Sequence, residues 1–130
     1  MMPSLEEAQR FLGLAKADLA AFELLAANPG IRRAIAFFHA QQAVEKCLKA
    51  ILFARGVEFH RTHDLLQLAG NIEATGIALP YQAESLLKLN PFAVELRYDD
   101  QIIPRLSDEE ASEIANRTLA WAEALVAKAQ

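Results

Sequence analysis

The stretch Ile35–Arg55, IAFFHAQQAVEKCLKAILFAR, decides the fold. It is long enough for about six turns at about 3.6 residues per turn. No Gly or Pro interrupts it, and Ala, Leu, Gln, Glu and Lys are good helix formers. The stretch therefore predicts a central helix. At about 100° per residue, Phe37, Ala40, Val44, Cys47, Leu48 and Ile51 share one arc and form a core stripe. Gln41, Gln42, Glu45, Lys46 and Lys49 take the opposite arc. Glu45 precedes Lys49 by four residues, the favourable order for a helical ion pair. Ile35, Phe38 and Leu52 border that polar arc, which reads either as an outer surface built to meet a partner or as a solvent face carrying a few apolar residues.

Upstream, Ser4-Leu5-Glu6-Glu7 has the capping-box pattern that opens a helix. Leu5, Ala8, Leu12, Ala15, Leu19, Phe22 and Ala26 follow alternating spacings of three and four, which predicts a bundle seam. Asn28-Pro29-Gly30 stops this helix and turns the chain back as a short antiparallel hairpin.

Downstream, Gly56 suits the C-terminal cap of the central helix. The stretch from Asp64 to Ala74 predicts a third, shorter helix with Asp64 in its first turn. Pro80 suits the start of a fourth, YQAESLLKL, which Asn90-Pro91 breaks before a further helical piece, FAVELRY. Residues 99–106 read as a loop. Ser107-Asp108-Glu109-Glu110 repeats the capping box and opens the last helix. The expected fold is all-α: a single domain over residues 1–130, an antiparallel up-and-down four-helix bundle with one or two additional short helices.

Composition narrows the function classes. No apolar run approaches the about 20 residues needed to span a bilayer. The start MMPSLEEAQR is acidic and amphipathic, unlike a secretory signal. A single cysteine, Cys47, excludes an internal disulfide framework and fits a reducing cytoplasm. Its place in the core stripe predicts a buried thiol rather than a nucleophile. The formal net charge of −4 argues against tight non-specific duplex binding, which depends on many basic contacts to phosphates.

Two polar clusters are candidates for chemistry. His60, Arg61, His63 and Asp64 lie within five residues, where His can transfer protons and Asp can orient it. The plainer reading has His63 and Asp64 capping the third helix. Two histidines are too few for a metal site, and no metal or other cofactor is expected. Arg97 ends the broken helix and has the fork geometry for a phosphate or carboxylate, or for an ion pair with Glu95 or Asp99.

The string FFHAQQAVEKCLKAILFARGVEFHRTHDLLQL, followed by LNPFAVELRYDD, resembles the HEPN domain family, named for higher eukaryotes and prokaryotes nucleotide-binding. AQQAVEKCLKA, THDL and LRYDD carry the resemblance most specifically, and it extends from AKADLAAFELL to the last helix. It implies a small helical bundle that dimerises. It also implies a partner: many stand-alone bacterial members are toxin or antitoxin components encoded beside a minimal nucleotidyltransferase. Some members are metal-independent ribonucleases with Arg, four to six residues, then His. Here Arg97 is followed by YDDQIIPRLSDEE, without His. Arg33 and His39 have the spacing at the wrong place, and residues six apart on a helix point about 120° away from each other.

The expected function is thus a homodimeric binding protein that pairs with a minimal nucleotidyltransferase and contacts nucleotide. No catalytic residue is assigned. The expected anion-binding set is Lys46, Lys49, His63 and Arg97, with structural ion pairs to Glu45, Glu95 and Asp64 as the alternative for the same residues. The expected interface set is Ile35, Phe38, Gln41, Gln42, Glu45 and Leu52. The alternatives are a ribonuclease toxin, with His63 or His39 as base and Arg97 or Arg61 stabilising charge, and a structural helical subunit.

Overall fold

The computed structural model describes residues 2–97 and 106–130, with residues 94–97 described by backbone alone. The order is α1 Leu5–Ala26, α2 Arg33–Arg55, α3 Leu65–Glu73, α4 Glu84–Leu89, a 3-10 helix Asn90–Arg97 and α5 Asp108–Lys128. Among the described residues there is no strand. The helical bundle expected from the sequence is what the chain forms.

Helix starts follow their caps. The Ser4 side chain accepts from the Glu7 backbone, and Ser107 and Glu110 exchange the two bonds of a full capping box. Asp64 sits just outside α3 rather than within its first turn, and its carboxylate accepts from the Leu66 amide. At the other end of α2, Gly56 has φ 68°, a left-handed value that a side chain would strain.

Asn90 braces α3 from the end of α4. Its side-chain oxygen accepts from the Leu65 amide at 2.9 Å, and its amide nitrogen donates to Asp64 at 3.1 Å. The chain passes directly from α4 into the 3-10 helix here. The fourth helix is accordingly shorter than the sequence predicts, starting at Glu84 and not after Pro80.

The seam positions on α1 from Ala8 to Phe22 are buried, as is the whole predicted stripe of α2. On α5, Ala111, Ile114, Ala115, Thr118, Ala122 and Val126 face inward. Phe37 stands between two rings: Phe22 of α1 at 6.4 Å and Phe92 of the 3-10 helix at 5.1 Å, edge on. Tyr81 reaches the buried Thr118 hydroxyl at 2.6 Å, and Thr118 in turn donates to the Ile114 carbonyl.

One expectation fails. α2 is enclosed on nearly every side, because α1, α5, α3 and the 3-10 helix all pack on it. Ala34, Ala36, Ala43, Ala50 and Ala54 are buried and let those neighbours approach closely. Gln41 is 0% exposed, Glu45 3% and Leu52 0%, so these three interface candidates lie inside the protomer.

Truncating the ring that ties the 3-10 helix to α2 should be costly. Phe92→Ala is expected to lower unfolding stability by about 3–5 kcal/mol, read from urea denaturation. A loss under about 1 kcal/mol would mean that this piece is not part of the cooperative core.

Candidate functional site

A carboxylate buried inside a helical bundle must find compensation, and Glu45 finds it on three sides. Its Oε2 accepts from Lys49 Nζ at 2.9 Å, one helical turn on. Its Oε1 meets His63 Nδ1 at 3.0 Å and accepts from the Gln41 amide at 3.2 Å. Gln41 also donates to the His63 carbonyl at 3.2 Å and accepts from Gln42 at 2.7 Å. This network fastens the segment ahead of α3 onto α2. The His63 side chain is 66% exposed while that of Glu45 is 4% exposed, so the cluster opens to solvent on the His63 side.

A second cluster crosses from α1 to α2. Asp18 takes both His39 Nδ1, at 3.0 Å, and Lys46 Nζ. All three side chains are less than one-third exposed. Asp18 carries no motif of its own. Its only signal in the sequence is an acidic residue set between Ala17 and Leu19, beside the α1 seam.

Of the four expected anion-binding residues, Lys49 and His63 are brought together, around Glu45. Lys46 is engaged by Asp18 instead. The side chain of Arg97 and all of Tyr98-Asp99-Asp100 lie outside the described residues. Among the interface candidates, Ile35, Phe38 and Gln42 are half-buried on the outer side of α2. Gln41, Glu45 and Leu52 are corrected to interior positions.

Arg33 and His39, which have the Arg-to-His spacing, turn to different partners. Arg33 pairs with Asp108 at the start of α5, at 2.6 Å, while His39 turns to Asp18. Among the described residues no group of three His, Cys, Asp or Glu side chains is placed to hold a metal. No helix among them is long and apolar enough to cross a membrane.

A family model described as the HEPN domain matches residues 4–128. The chain belongs to the HEPN domain family. Among solved structures, the HEPN chain is similar to the crystal structure of an archaeal HEPN homologue, with a TM-score of 0.59 and 19% identity. That likeness covers 97% of this chain and 99% of the other, and at this identity it speaks for the fold. No functionally curated protein matches the chain. In this HEPN bundle, AQQAVEKCLKA supplies Gln41, Gln42, Glu45 and Lys49, and THDL supplies His63 and Asp64. The two most specific described motifs are thus two halves of one hydrogen-bonded network.

Cys47 is fully buried, and burial pushes its thiol up to about 12, with the Glu123 carboxylate adding in the same direction. Burial likewise raises Tyr81 from 10.0 to about 12, against the opposing Thr118 bond. Both groups stay neutral in the folded chain at pH values where the unfolded chain ionises. Their contribution to stability is present below the unfolded value, 9.0 for the thiol, and is lost as pH rises towards 12. Urea midpoints should therefore fall across that alkaline window, and Cys47 should resist a thiol reagent at neutral pH until the chain unfolds. Rapid modification of the folded protein would contradict this placement.

Proposed function

We propose that this HEPN protein is a homodimeric partner of a minimal nucleotidyltransferase in a toxin–antitoxin-type pair, and that it contacts nucleotide in that assembly. The observation that carries the proposal is the outer side of the α1–α2 hairpin. There the half-buried Ile35, Phe38 and Gln42 run beside the Asp18, His39 and Lys46 cluster. Leu14, one turn before Asp18 on α1, is 38% exposed on the same side. Polar groups already paired to one another, bordered by apolar side chains, can be covered without leaving a buried charge uncompensated. Family membership supports the same reading, since HEPN domains often dimerise and bind nucleotides.

The ribonuclease alternative is less well supported. His39 and Arg33 are each committed to a carboxylate, Asp18 and Asp108. His63 is held by Glu45, and no His follows Arg97 at the required spacing. An anion contact by Lys49, His63 and Arg97 is part of the proposal, and Lys46, the fourth expected member, is engaged by Asp18 instead. Lys49 and His63 would meet the anion from their places around Glu45.

Light scattering coupled to size exclusion should give the mass of two chains, and Phe38→Glu should reduce it to one with helical circular dichroism retained. Coexpressed with a minimal nucleotidyltransferase encoded beside it, the wild-type chain should co-elute as a stable complex. A single-chain mass at tens of micromolar, together with separate elution, would sink the proposal.

A further inference from the structure

Away from the hairpin stripe, the C-terminal end of α2 carries an open cleft of about 490 Å³ lined by Phe11, Lys49, Phe53, Glu58, Phe59 and Arg61. Its volume lies within the about 300–1,000 Å³ range of small-molecule sites. Three half-buried phenylalanines from three parts of the chain meet here. Phe11 lies 5.1 Å from Phe53 in a tilted pair, and Phe53 lies 5.4 Å from Phe59, edge on. The N-terminal segment is held against this corner, because the Ser4 amide donates to the Phe53 carbonyl at 2.9 Å.

The charges are unequal in availability. Lys49 is tied to Glu45 with its side chain 13% exposed. Arg61 is exposed and, among the described residues, has neither a hydrogen-bond nor an ion-pair partner. A free guanidinium beside flat apolar rings suits a ligand with a flat π-face at one end and an anion at the other. A purely aliphatic ligand would leave Arg61 unused, and inorganic phosphate would leave the rings unused.

We propose that this cleft binds a nucleoside monophosphate, with the base against Phe59 and its neighbouring rings and the phosphate on Arg61 beside Lys49. The inference rests on the nucleotide-contact reading above and gives that contact a specific place. Arg61 supplies a bidentate fork for the phosphate oxygens. Lys49 adds positive charge at the inner wall of the same cleft.

Calorimetric titration of the full chain with AMP tests this. We expect saturable binding of one AMP per chain, with adenosine and inorganic phosphate each at least about ten-fold weaker. Arg61→Ala should weaken AMP about ten-fold or more, through loss of a charge-assisted contact. Phe59→Leu keeps an apolar side chain but removes the ring, and should weaken AMP about five-fold or more. Arg117→Ala, exposed on α5, should bind as wild type. Absence of AMP binding, or unchanged affinity in both cleft variants with circular dichroism intact, would overturn the inference. If AMP binding is absent while the chain still dimerises and co-elutes with the transferase, only the cleft falls. If AMP binds through Arg61 and Phe59 but no transferase complex forms, the cleft stands and the functional reading falls.

Discussion

A carboxylate taken out of water in a bundle of helices constrains everything around it, and Glu45 holds that position here. Its charge is met by Lys49 one turn on and by His63 from the next segment, while Gln41 donates to it from the turn before. Removing one partner from such a set typically costs about 3–5 kcal/mol, because the remaining charge is left without compensation. The arrangement thus fixes more than energy. Gln41 binds both Glu45 and the His63 carbonyl, which sets where the chain re-enters the bundle after α2. Asp64 and Asn90 then set the start of α3 and hold the 3-10 helix beside it.

This internal use of polar residues changes which surface is left for partners. Gln41 and Glu45 are spent on the protomer's own architecture, so they are not offered to a second chain. What remains outward on α2 is a narrower line through Ile35, Phe38, Gln42 and Lys46, already knitted to α1 through Asp18. The cleft at Phe59 and Arg61 lies at the C-terminal end of the same helix. One helix therefore carries the core, the buried polar network, the proposed contact surface and a wall of the proposed nucleotide cleft. Its neighbours hold it from most sides, which suits a rigid platform rather than a moving part.

Much of the fold was legible in the sequence. The 3/4 spacing on α1, the Phe37-to-Ile51 stripe, both Ser-led caps and the Gly56 stop each report a local rule, and each recurs in the structure. The polar arc of α2 was misread for a physical reason. A helical wheel shows one helix against an assumed solvent, and it weighs alanine lightly. Five buried alanines let further helices close over the positions that the wheel left outside. Long-range pairing was the other illegible element. Nothing near Asp18 announces His39 and Lys46, and nothing near Asn90 announces Leu65, because these partners meet only when the helices pack. The Glu45–Lys49 pair follows from their four-residue spacing, and the structure adds His63 to the same carboxylate.

The direct test of this account is a double-mutant cycle on Glu45 and Lys49, using Glu45→Gln, Lys49→Met and the combined variant in urea denaturation. If Glu45 is the buried charge around which the network closes, each single change leaves a charge exposed to an apolar interior. The coupling energy should then reach about 1.5–3 kcal/mol, with the double variant more stable than the sum of its parts predicts. Additive losses, with coupling under about 0.5 kcal/mol, would contradict the claim and return the two residues to an ordinary solvated pair.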